Sequence, residues 1–159
     1  MKSQILCSLL FATVSASAQA GAQTAHTAAE IQQHQARLLE AAKASATGMV
    51  NEKTDETPVS RTLFVARART GEAELHQHWS DQMVISKGSV ILITGGTLKG
   101  QHPNGDQPGE FLATSIEGGK EVTLHAGDIA HIPAGVPHWV KLTPNTTATY
   151  IVFKQKVSQ

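Results

Sequence analysis

Two histidines one residue apart, His76 and His78, are the side chains in this sequence best placed to do chemistry. In a β-strand, residues two apart project from the same face, so both imidazoles would enter one cavity. Together they form a two-nitrogen arm for a divalent metal ion. Farther along, Gly127, Pro133, Gly135 and His138 follow the pattern G-x5-P-x-G-x2-H. There a strand runs into a tight Pro/Gly turn that delivers a further histidine just beyond it. The chain carries eight histidines. Of the rest, His131 reads as a partly exposed strand residue, His102 and His125 sit beside turn signals, and His26 and His34 belong to a polar helical surface. Trp79 and Trp139 each follow one of the clustered histidines, and alternation turns them away from the cavity, toward core or a subunit contact.

The elements that must position these residues are mostly strands. Thr62–Ala66, Met83–Ile85, Ser89–Thr94, Lys120–Leu124, Ile129–Ile132 and Ala148–Phe153 are short β-branched runs. Turn signals separate them, among them Lys87-Gly88, Gly95-Gly96, Gly118-Gly119 and Gly127-Asp128. Many short strands with no helical pattern between them predict an antiparallel sandwich or barrel. Before them, Thr27 and Glu30 have capping-box spacing, and the stretch from Ala28 to about Ala46 is rich in helix formers with Ile31, Leu38, Leu39 and Ala42 as an apolar stripe. Gly48 is a stop for that helix. The longest irregular stretch, residues 97–108, has the length of a lid or a mobile connection.

The two histidine segments resemble the two sequence motifs of the cupin superfamily, with Gly71, His76, His78, an acidic or amide residue and Gly88 in the first, and Gly127, Pro133, Gly135 and His138 in the second. The resemblance covers residues 61–155. It implies an all-β fold, a single-domain cupin jelly-roll β-barrel with an N-terminal α-helix, and a metal ion inside the barrel. It also implies a fourth ligand after His78. Asp81 has the family's offset from Gly88 and the better donor oxygen, with Gln82 as the alternative. Leu142 stands where the family commonly has an asparagine near the site. The implied ligand set, His76, His78, Asp81 and His138, leaves coordination positions open for water or substrate. The implied ion is a divalent transition metal (Fe, Mn, Ni, Cu or Zn), and the implied assembly is a homodimer.

Composition narrows the function classes. The chain has 159 residues, with 13 basic and 13 acidic side chains. Zero net charge and no dense Lys/Arg run argue against a nucleic-acid partner. Lys2, the apolar run Ile5–Val14 and Ala18-Gln19-Ala20 read as a signal peptide cut after Ala20, which places the protein in the periplasm. The run is too short for a stable membrane span. Its removal takes away Cys7, the one cysteine, so neither disulfides nor a cysteine nucleophile are expected in the mature chain. The expected organisation is a signal peptide over 1–20, a helical arm over 21–60 and the barrel over 61–155. The expected partner is a small molecule. Three readings follow: a metal-dependent enzyme of oxygenase, isomerase or lyase type, a small-molecule- or sugar-binding barrel without turnover, or an envelope interaction module docking through its helix. For the metal-dependent reading, removal of the ion and mild acid are both expected to lower the melting temperature.

Overall fold

The computed structural model describes residues 25–157; the expected signal peptide lies outside them. Helix α1 spans Ala28–Ala44, and its first turn is closed by the expected capping box. The Thr27 backbone N–H donates to Glu30 at 2.8 Å, and the Glu30 N–H donates to Thr27 Oγ1 at 3.3 Å. Twelve strands follow among the described residues: β1 (Met49–Glu56), β2 (Ser60–Arg67), β3 (Ala73–His76), β4 (Trp79–Thr94), β5 (Thr97–Lys99), β6 (His102–Pro103), β7 (Glu110–Ala113), β8 (Ser115–Glu117), β9 (Lys120–His125), β10 (Ile129–Ile132), β11 (His138–Lys141) and β12 (Ala148–Lys156).

These strands form two antiparallel layers that share β4. Its first half pairs with β12 and β10, and its second half with β11 and β9. The first layer continues through β2 to β1, and the second through β3 to β7 and β6. The expected turn at Lys87-Gly88 is instead a bulge within β4, where pairing with β12 slips between Thr149 and Tyr150. Gly88 has φ +79°, and a Cβ there would lie 2.2 Å from the Thr147 carbonyl oxygen. Only glycine accepts both demands. Gly88→Ala is therefore expected to cost about 2 kcal/mol or more, read as a lower denaturant midpoint at unchanged slope.

Two further segments differ from expectation. The stretch assigned to a helical arm already contains β1, so the sheet begins at Met49. Residues 97–108 are not wholly irregular: β5 pairs with β8, and β6 with β7.

Alternation along the strands sorts the side chains. On β2, Phe64 and Ala66 face α1 and meet Leu38 and Ala42. Val65, from the opposite face of β2, joins Met83, Ile85, Val90, Leu92, Ile132, Val140, Tyr150 and Val152 in the barrel interior. Between helix and sheet, Gln35 donates to Ser86 Oγ and accepts from Thr149 Oγ1, so its buried amide is satisfied. By the same alternation, Arg67 on β2, Asp81 on β4, His138 on β11 and Lys154 on β12 fall on the interior side. All four line one cavity of about 80 Å3.

Candidate metal centre

The polar end of that cavity is built from two cross-strand pairs. His138 stands opposite Glu74 in the β11–β3 register, and Lys154 stands opposite Asp81 in the β12–β4 register. His76, two residues after Glu74, projects from the same face of β3. Glu74, His76 and His138 each offer a ligand atom, and the three atoms lie within 4.8 Å of one another. The His76 and His138 ring centroids are 5.0 Å apart. This is a two-histidine, one-carboxylate set, a donor combination suited to iron and its divalent neighbours.

Each imidazole is anchored from behind. His76 Nδ1 is 2.5 Å from Glu110 Oε2, and His138 Nδ1 is 3.2 Å from the Val136 carbonyl oxygen. With Nδ1–H donated in both rings, the Nε2 lone pairs are left for a metal. His76 Nε2 is buried without a hydrogen-bond partner, its nearest carboxylate oxygen being Glu74 Oε2 at 3.5 Å. An orphaned buried nitrogen facing a carboxylate is what a bound cation would satisfy. The residues present therefore fit a divalent ion.

Cations hold the carboxylates in turn. Arg67 Nη2 donates to Glu74 Oε1 at 3.0 Å, and Arg67 Nε to Tyr150 Oη at 2.7 Å. Lys154 Nζ reaches both Asp81 oxygens, at 2.8 and 2.9 Å. Burial disfavours ionised Glu74, but the close approach of His76 and the Arg67 charge outweigh it and hold the carboxyl well below its usual range. Burial also disfavours the His76 imidazolium, yet the bond to Glu110 and the nearby Glu74 carboxylate raise its pKa to about 9. His138 is pushed down by burial and stays neutral.

Of the residues expected from the sequence, His76 and His138 converge. Asp81 reaches the same place, its Oδ2 being 3.6 Å from His76 Nε2 and 4.0 Å from His138 Nε2, although Lys154 engages it. His78 is not in the grouping of possible ligands. Strand β3 ends at His76, so the alternation that would turn His78 inward stops two residues too soon, and its ring packs against Gly109. The inward neighbour of His76 is Glu74 instead. Gln82 is exposed and pairs with His131, which is also exposed. Trp79 is buried beneath the Arg61 guanidinium, and Trp139 donates to the Gly71 carbonyl at 2.7 Å.

Sequence reasoning missed Glu74, Glu110, Arg67 and Lys154. The signal for Glu74 was present: it sits two residues before His76, the same spacing that singled out His78. Glu110 has no local signal, because its pairing with His76 arises only when β7 docks on β3. If Glu110 fixes the His76 ring, Glu110→Gln should lower metal affinity by about 10- to 100-fold with the fold intact. Competition against a chromogenic chelator measures this, and unchanged affinity would remove Glu110 from the centre.

Residues 109–154 match the family model described as the cupin domain. No curated protein matches the sequence. Among solved structures, oxalate oxidase is similar at 17% identity and a TM-score of 0.51, the match covering 71% of this chain and 53% of that one. The chain thus spans about half the length of that protein. A protein of Thermus thermophilus aligns at 16% identity and a TM-score of 0.49, over 68% of this chain and 83% of that one. An RmlC-like cupin family protein from Methanocaldococcus jannaschii aligns at 16% identity and a TM-score of 0.47, over 70% and 84%. The cupin-domain match spans the strands that carry Glu110, His138, Tyr150 and Lys154, and with the fold shared with oxalate oxidase it supports the resemblance to the cupin superfamily.

Proposed function

We propose that the chain is an exported, metal-dependent cupin enzyme that transforms a small molecule bound through oxygen. Glu74, His76 and His138 would hold a divalent transition metal, with Asp81 as the adjacent carboxylate. Bound there, the ion would supply Lewis acidity or activate a ligand at its open positions. The observation that carries the reading is the convergence of two imidazoles, each fixed through its Nδ1, on one carboxylate inside the barrel. The cavity admits a molecule of a few heavy atoms. The similarity to oxalate oxidase supports the fold of such an enzyme and leaves the reaction open among oxygenase, isomerase and lyase types. Export rests on Lys2, the apolar run to Val14 and the Ala18-Gln19-Ala20 site.

One observation favours binding without turnover. Asp81 and Glu74 are both tied up by cations, which leaves no free carboxylate as a general base. Elemental analysis of untagged residues 21–159 tests the metal reading first. Near-stoichiometric metal in the parent, retention in His78→Ala and loss in folded His138→Ala are the expected results. A parent that cannot be loaded with Fe, Mn, Ni, Cu or Zn would sink it. Turnover of small oxygen-bearing substrates by the loaded protein then separates enzyme from binding barrel.

A homodimer is part of the same reading. Phe153 and Ile129, exposed on the outer face of the first layer beyond α1, are the apolar surface available for it.

A further inference from the structure

We infer that Tyr150 is the hydrogen-bond donor that grips the bound molecule, and that this molecule is a small monoanion of carboxylate type. The inference rests on the metal reading above and adds to it a residue and a ligand class. Tyr150 lines the cavity together with Glu74, Asp81, His138 and Lys154, and it is buried. Its hydroxyl oxygen accepts from Arg67 Nε at 2.7 Å, which leaves its own proton without an acceptor among the described residues. A buried hydroxyl proton normally finds a partner, and the cavity that Tyr150 lines is the space left for one. Burial pushes the phenol above its usual range, so it stays a donor. The charge-assisted bond from Arg67 polarises the hydroxyl and strengthens its donation. Arg67 is thus a positioning residue, and Tyr150 the group that touches the ligand.

Charge selects the class. Glu74, Asp81 and Glu110 against Arg67 and Lys154 leave one negative charge around neutral imidazoles. A divalent ion turns that into one positive charge in a largely buried site, and a monoanion neutralises it. The volume, about 80 Å3, fits acetate rather than a sugar ring.

The sequence contains one tyrosine, so 3-fluorotyrosine labels position 150 alone. The labelled mature chain is titrated with acetate and with neutral acetamide, before and after loading with zinc. Expected are a saturable fluorine shift with acetate and little with acetamide. In Tyr150→Phe at the parent's zinc content, acetate should bind about ten- to a hundredfold more weakly. Acetate that fails to move the fluorine resonance, or binds the phenylalanine variant as tightly, would overturn the assignment. If the variant does not fold, the fluorine titration decides alone. If zinc does not bind, the metal reading falls separately. Without an ion the site has no positive charge to draw acetate, so neutral acetamide then decides Tyr150: a saturable fluorine shift upholds the donor, and none overturns it.

Discussion

Loading the protein with a divalent metal at about pH 7.5 will release about one proton per ion. The proton comes from His76, whose pKa of about 9 leaves its ring protonated in the metal-free protein at neutral pH. A ligating imidazole must be neutral, so the ion displaces that proton, and affinity should rise about tenfold per pH unit until His76 titrates. His138, held neutral by burial, contributes none. The same shift fixes how stability depends on pH. His76 is raised from 6.5, so its stabilisation of the metal-free fold is complete below about 6.5 and lost as pH climbs through 9. The loss is on the order of 3 kcal/mol. Below 6.5 the depressed His138 acts the opposite way, and stability falls as acid forces a proton onto it. Metal-free protein should therefore be most stable near pH 6.5, whereas metal-loaded protein, in which His76 is neutral, gains stability up to about pH 6.5 and then holds it, the rise in affinity offsetting the loss in the metal-free fold. Mild acid is thus expected to destabilise the loaded form more than the free one, which refines what three interchangeable histidines would do. Titration calorimetry in two buffers of different ionisation enthalpy counts the protons. A count near zero at pH 7.5 would show that His76 is neutral before metal arrives and would remove both pH trends.

How much of this was legible in the residues depends on range. The second motif was readable because Pro133, Gly135 and His138 act locally: a turn needs those types at that spacing, and β11 starts at His138. The first motif was half readable. The i, i+2 rule is correct, but it does not say where a strand ends, and the choice between Glu74 and His78 as the partner of His76 turns on two residues of strand length. Strand β1 escaped for a different reason. Met-Val-Asn-Glu-Lys-Thr-Asp-Glu is charged because it lies at a sheet edge, where charges guard against further pairing, and such strands lack the apolar alternation that announces the others. Helix α1 announced itself through Thr27 and Glu30, whose contacts span three residues. The cations around the site were illegible because Lys154 meets Asp81 only through the pairing of β12 with β4, and Arg67 on β2 meets Glu74 only when β3, in the other layer, comes to face it. In sequence each is one more charge at the end of a strand.

Arg67→Met should destabilise the metal-free protein by about 3 kcal/mol or more, which for a chain of this size is a fall of roughly 10 °C in melting temperature. Arg67 is one of the largest fully buried side chains, and its guanidinium serves Tyr150 and Glu74 together. Gly71 makes room for it, since a Cβ there would lie 2.7 Å from Arg67 Nη1. Methionine fills much of the volume but leaves the Glu74 carboxylate in the interior with its main countercharge gone. The penalty belongs to that stranded charge rather than to a strong ion pair, so Arg67→Met/Glu74→Gln should recover most of the loss. Non-additivity of this kind is what a double-mutant cycle measures. Zinc supplies the discriminating arm. If Glu74 is a ligand, a bound ion replaces the missing cation, and Arg67→Met costs less in loaded protein than in free protein. An equal loss in both forms would mean that the carboxylate of Glu74 does not face the metal, and the centre would then rest on His76 and His138 with Asp81 as the carboxylate beside them.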